Sequence, residues 1–169
     1  TALFDAPITT GAGGQTHLYY NPPNYGLPTD FSGWISGGHT AWMLVNGLGS
    51  EAEANTGLQG MAANLSGDYA LGRNIDASAT AEWNSLAGFV PVGAMTAFTG
   101  QFDGLGHTIS NLRIGRPTTD HVGLFGVASG AVIKNLTLTG SSIVGRNYVG
   151  GLVGSLDGGS IAYSNSYSD

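Results

Sequence analysis

The chain repeats itself. Ile109-Ser110-Asn111-Leu112-Arg113-Ile114 returns as Ile133-Lys134-Asn135-Leu136-Thr137-Leu138, an offset of 24 residues. Val122-Gly123-Leu124-Phe125-Gly126 returns as Val149-Gly150-Gly151-Leu152-Val153-Gly154, with one glycine added. Ser129-Gly130-Ala131-Val132-Ile133 matches Gly158-Gly159-Ser160-Ile161 at an offset of about 28. A unit this short cannot bury an apolar face alone and must stack on its neighbours. A period of 24–28 residues suits the coils of a β-solenoid and is too short for a propeller blade of about 40–45. The expected fold is all-β: a right-handed parallel β-helix whose rungs occupy residues 98–169.

The pattern inside the repeat predicts a shape. Ile109 and Leu112 differ in parity, whereas Leu112 and Ile114 share it, and Ile133, Leu136 and Leu138 do the same. A flat strand alternates its side chains with period two, so a parity break marks a bend. Asn111 and Asn135 sit at the break. Asparagine tolerates the left-handed backbone conformation, so both are predicted structural corners, with their amides stacked as a ladder on adjacent rungs. The plainer reading, two exposed strand residues, leaves the parity break unexplained. No apolar spacing of helical type occurs after residue 98.

Composition agrees with short strands and tight turns. There are 29 glycines, frequent enough to end a strand every few residues. Charged residues make up 9% of the chain, against about 25% in ordinary domains. The 41% of hydrophobic residues still suffices for a core. Only Arg73, Arg113, Arg116, Lys134 and Arg146 are basic, and the formal net charge is −6. No basic patch can be built from so few, which argues against nucleic acid and against anionic membrane surfaces. No apolar run is long enough to span a bilayer. There are no cysteines. The chain starts at Thr1 and ends at Asp169 inside a repeat, as expected of a piece of a longer protein.

The first half reads differently. Leu58, Met61, Ala62 and Leu65 fall at helical spacing and predict a short helix over 56–65, stopped near Gly67. Strands are expected at Gln15 to Tyr20, Ala41 to Val45, Tyr69 to Leu71 with Ile75, and Gly88 to Val92. The expected organisation is an irregular Gly-, Pro- and aromatic-rich flanking or capping segment over 1–50, a short helix and entering strands over 51–97, and rungs over 98–169, in one structural domain. The core is expected to hold Ile109, Leu112, Ile114, Val122, Leu124, Ile133, Leu136, Leu138, Val149, Leu152 and Ile161.

No catalytic, cofactor-binding or metal-binding residue stands out. Asp103-Gly104-Leu105-Gly106-His107 reads as a glycine turn in which the Asp103 carboxylate bonds backbone N–H groups. The eleven acids are scattered, without the facing pair that glycoside hydrolysis needs. His17, His39, His107 and His121 show no ligand spacing. The aromatics Tyr19, Tyr20, Tyr25, Phe31, Trp34 and Trp42 crowd the first 42 residues. Tyr19, Tyr20, Tyr25 and Trp34 form a possible binding surface, although such residues more often fill a core under loops or cover a solenoid end. Asn64-Leu65-Ser66 and Asn135-Leu136-Thr137 match the glycosylation triplet, Asn135 at a packed and inaccessible corner.

Three phrases carry a family likeness. They are Phe102-Asp103-Gly104-Leu105-Gly106-His107-Thr108-Ile109-Ser110-Asn111-Leu112, the run from Asn64 to Leu71 followed by Asn74-Ile75-Asp76-Ala77, and Tyr148-Val149-Gly150-Gly151-Leu152-Val153-Gly154, which looks like the GLUG motif. Together they resemble the GLUG-containing part of filamentous-haemagglutinin-like adhesins of the two-partner secretion type. The resemblance implies a long secreted β-helix, exported through an outer-membrane partner and held at the bacterial cell surface or released. It implies a structural, adhesive stalk for cell-surface or cell–cell attachment and biofilm contacts. The partners to expect are further copies of the chain in filaments, or a host or matrix glycan or protein. The alternatives are a ligand-capture module for haem-carrying proteins or glycans, with Gly115 to His121 as the candidate inserted loop, and a polysaccharide-active β-helix enzyme.

Overall fold

The computed structural model describes residues 8–9, 11, 13–51 and 55–167. Short strands dominate it. The first are β1 (Ile8–Thr9), β2 (Gln15–Tyr20), β3 (Ile35–Ser36) and β4 (Gly38–Val45). A single helical turn, α1 (Gly57–Gly60), runs into a 3₁₀ turn at Met61–Ala63. Then come β5 (Asp68–Leu71), β6 (Ile75–Asp76) and a second 3₁₀ turn at Ser78–Glu82. The rest is strand and turn: β7 (Gln101–Asp103), β8 (Thr108–Ser110), β9 (Arg113–Gly115), β10 (Phe125–Ser129), β11 (Val132–Lys134), β12 (Thr137–Thr139), β13 (Ser142–Val144), β14 (Val153–Asp157), β15 (Ser160–Ala162) and β16 (Asn165–Ser166).

All the pairings between these strands are parallel. Parallel neighbours need a crossover, and here the crossover is made of other strands. After β7 the chain forms β8, β9 and β10, each in a different sheet, and β11 then returns beside β7. β12, β13 and β14 lie beside β8, β9 and β10, and β15 returns beside β11. The result is a six-stranded sheet in the order β15-β11-β7-β5-β4-β2, a four-stranded sheet in the order β16-β12-β8-β6, and the two-stranded sheets β13-β9, β14-β10 and β1-β3.

The registers correct the expected period. Phe102 pairs with Ile133 and Ile133 with Ile161, offsets of 31 and 28 residues. Ile109 pairs with Leu138 and Leu138 with Ser166, offsets of 29 and 28. The 24-residue match is not a pairing. It relates β8 to β11, which lie in different sheets. The hexapeptide Ile-x-Asn-Leu-x-Ile/Leu is therefore a corner unit used at two different bends in successive circuits. Asn111 turns β8 into β9 with φ 59°, and Asn135 turns β11 into β12 with φ 55°. They do not stack on each other. The Asn111 N–H donates to the Thr139 carbonyl, beside Gly140 (φ 57°). The Asn135 N–H donates to the Ala162 carbonyl, beside Tyr163 (φ 50°). The expected amide ladder is absent because successive circuits place Asn and Gly, or Asn and Tyr, at one corner.

The corners let both flanking strands face inward. Ile109, Leu112, Ile114, Ile133, Leu136 and Leu138 are all fully buried. Tyr69, Phe102 and Ile133 stack as an inward column along the six-stranded sheet, and Phe98 and Phe102 flank Phe125 with ring centroids 4.9 and 5.4 Å away. Gly104 is required by close approach. A Cβ there would collide with the Asn135 carbonyl and lie 2.7 Å from Leu136 Cα.

Three further expectations change. The helix is shorter than 56–65: Asn64 is already extended (φ −148°), and Ala62 is exposed. Gln59 is the buried member that the apolar spacing did not show, and its amide bonds both the carbonyl and the N–H of Val90 (3.1 and 3.0 Å). Gly88 to Val92 is not a strand. It makes isolated bridges to Ile114 and Phe125, because the Gln59 side chain occupies the backbone groups of Val90. Val149 and Ile161 are 45% and 41% exposed rather than core, since among the described residues no strand lies beyond β15 and β16. The opposite end is covered: Tyr25 packs edge-on to Tyr69 at 5.1 Å, and Phe31 to Tyr20 at 4.9 Å.

Candidate functional site

The four aromatics expected to share a surface are spread over different environments. Tyr25 is 1% exposed. Its hydroxyl donates to the Leu44 carbonyl at 2.9 Å, and burial pushes its pKa up to about 12. It is a core residue and not part of a binding surface. Tyr20 is half-buried, and its hydroxyl oxygen accepts the Thr29 N–H at 3.0 Å; burial raises its pKa too. Trp34 is half-buried at the base of its loop, 6.1 Å from Phe31. Tyr19 alone of the four is well exposed, and it stacks on Trp42 at 6.4 Å on the outer face of the sheet. Tyr25 and Trp34 are drawn inward because residues 21–36 fold over the end of the sheet and need apolar anchors.

The outer face carries groups that sequence spacing did not bring together. Lys134 Nζ lies 3.3 Å from Asp103 and 5.5 Å from the centre of the Trp42 ring. Asp103, nearly buried, also accepts the Leu105 N–H and the Asn135 Nδ2 amide, each at 2.9 Å. The Asp103–His107 segment is thus a carboxylate-closed turn, and the His107 ring contacts Asn74 Oδ1 rather than an acid. Asn111 likewise donates to Asp76 at 3.0 Å. On the adjacent bend Arg146 grips Asp120 with two bonds of 2.8 and 2.6 Å, and Asn147 adds a third. His121 and Tyr148 stack there 4.7 Å apart, and both have left-handed φ. The signal for this contact was present in the paired phrases Asp120-His121-Val122-Gly123 and Asn147-Tyr148-Val149-Gly150. Both glycosylation-triplet amides are engaged, Asn64 on the Tyr25 carbonyl and Asn135 on Asp103.

One concave region combines polar groups with open space. It is a cleft of about 340 Å³ between the loop after β2, the first half of β4 and the start of β5. Asp30, His39, Thr40, Ser66 and Asp68 line it, with Tyr20 as an aromatic wall. Among the described residues no group of three or more His, Cys, Asp or Glu could hold a metal ion, and no helix is long and apolar enough to cross a membrane.

Residues 54–163 match the model of the M26 IgA1-specific metallo-endopeptidase N-terminal region. The chain belongs to that family. It is also similar to halomucin from Haloquadratum walsbyi, with 48% identity over 97 residues that cover 53% of this chain and 1% of halomucin. The chain therefore spans about 1% of the length of this curated relative. No solved structure matches.

Proposed function

We propose that this M26 N-terminal-region chain is a stretch of right-handed parallel β-helix that works as a structural, adhesive stalk of a protein held outside the cell. The observation that carries the reading is the unbroken parallel pairing. Six strands follow one another in one sheet, and later circuits add 28 residues each. Parallel strands lie about 4.8 Å apart, so each circuit extends a rod by that amount at small cost in sequence. The segment itself is not catalytic. The matched family is the N-terminal region of a peptidase, and the outward carboxylates Asp76, Asp103 and Asp120 are bonded to Asn111, Asn135 and Arg146. The resemblance of Tyr148 to Gly154 to the GLUG motif supports a filamentous-haemagglutinin-like setting, with export and surface attachment as in two-partner secretion.

The exposed end, with Val149 and Ile161, is a template for edge pairing with further copies. Sedimentation velocity and light scattering over a wide concentration range test this. An elongated particle that lengthens with concentration is expected, and Ile161→Asp should suppress the lengthening. A compact particle would overturn the stalk. New reducing ends or unsaturated products from a polysaccharide panel would overturn the non-catalytic reading.

A further inference from the structure

The cleft beside β4 has the chemistry of a sugar site, a role separate from the stalk. Its floor is an interrupted sheet. Gly38 to Ala41 of β4 pair with Gln15 to Leu18 of β2, while on the other edge β4 is paired only from Met43, where β5 begins. The open edge lies beside side chains rich in hydroxyl, amide and carboxylate groups. Asp30 Oδ1 accepts the Ser32 N–H at 2.9 Å, and Asp68 Oδ1 accepts Gln101 Nε2 at 2.9 Å. In both, the bonded oxygen fixes the carboxylate, and the exposed Asp30 is also held by the Ser32 side chain and faces His39. His39 holds Nδ1 against the Gly37 carbonyl at 3.4 Å, which leaves Nε2 for a ligand. The half-buried Tyr20 ring is pinned by Thr29 on one side and Phe31 on the other.

We infer that this cleft binds one neutral pyranose unit of a glycan. Fixed carboxylate oxygens are strong acceptors for vicinal hydroxyls, and a rigid aromatic wall offers an apolar face. The volume of about 340 Å³ is at the lower end of small-molecule sites, which begin near 300 Å³. Charge sets the specificity. No Lys or Arg lines the cleft, and the Ser32 N–H holds the Asp30 carboxyl below its ordinary range, so it is ionised at neutral pH. Acidic sugars are repelled and neutral ones admitted.

Saturation-transfer NMR on the full chain tests the site, with glucose, galactose, N-acetylglucosamine, N-acetylgalactosamine and sialic acid as probes. At least one neutral sugar should receive saturation and sialic acid none. The variants Asp30→Asn and Asp68→Asn keep an Oδ1 acceptor for Ser32 and Gln101, so the fold should survive, as unchanged thermal melts would show. Each should weaken the neutral sugar by roughly tenfold or more, the loss expected for a charge-assisted hydrogen bond. No saturation of any neutral sugar, or binding that neither variant changes, would overturn the assignment.

Discussion

At single residues, the bends are held by amides and carboxylates in place of regular ladders. Asp120 shows how. The two bonds from Arg146 lower its pKa to about 2, against about 3.9 in an unfolded chain. A carboxyl depressed by folding stabilises the native state above the unfolded pKa, and that contribution is lost as pH falls through the folded pKa. Asp76, lowered first by Asn111 and then by Ser78, has the same sign. Thermal melts should therefore fall between about pH 4 and pH 2, and Asp120→Asn should remove part of that fall by lowering the melt at neutral pH while changing little near pH 2. An Asp120→Asn melt curve parallel to the wild type throughout would show that the pair does not couple to folding. The corner asparagines make a second prediction. Asn135→Gly keeps the left-handed φ of 55° open, whereas Asn135→Val forces a β-branched side chain into it at a cost of about 1–2 kcal/mol or more. Urea unfolding of the two variants separates backbone strain from loss of the bond to Asp103. The parity break made these bends readable. The partners of the amides were not readable, because a 24-residue match gives no sign that it joins different sides of successive circuits.

For the strands and turns, legibility followed local patterning. Gln15 to Tyr20 and Ala41 to Val45 fall in β2 and β4, and the glycine-punctuated runs after residue 98 fall in β7 to β16. Gly88 to Val92 misled because a buried side-chain amide, that of Gln59, took the place of a strand partner, and no apolar periodicity records that substitution. The cleft was illegible for a similar reason. It joins Asp30, His39 and Asp68 from three separate segments, and their proximity depends on where β5 begins beside β4. Burial makes a sharper prediction. Leu136 is fully buried and Ile161 is 41% exposed, although the repeat assigns both to the core. Leu136→Ala should cost about 2–5 kcal/mol in denaturant unfolding, and Ile161→Ala should stay within about 0.5 kcal/mol. Equal losses would mean that Ile161 is covered in solution, which is what end-to-end pairing of copies predicts at high concentration. Dilution distinguishes the two cases.

Across the whole molecule, the two ends of the stack differ, and this asymmetry has a dynamic consequence. One end is closed by Tyr20, Tyr25 and Phe31 packed under the loop after β2. Among the described residues no strand follows β14, β15 and β16, and their inward positions Leu156 and Ile161 are open to solvent. In a stack, each circuit contacts only its neighbours, so stability is a sum of interface terms and unfolding starts where a term is missing. The last circuit has one interface and the middle circuits two. Amide protection should therefore be graded along the axis. The N–H groups of Phe125, Asn135 and Phe89 donate to the carbonyls of Leu152, Ala162 and Arg113, linking circuits to their neighbours. Asn135 and Phe125, bonded to the terminal circuit, should exchange faster than the buried Phe89, whose partner lies one circuit deeper. The Gly104 N–H, bonded to the Lys134 carbonyl deeper in the stack, should be among the slowest. Ile161→Asp should accelerate exchange at Asn135 while leaving Gly104 nearly unchanged, because the charge disturbs the last interface alone. Hydrogen exchange followed by NMR reads each of these amides separately. Uniform protection, with Ile161→Asp accelerating all of them together, would mean that the circuits open as one cooperative unit and that the stack cannot fray from its exposed end.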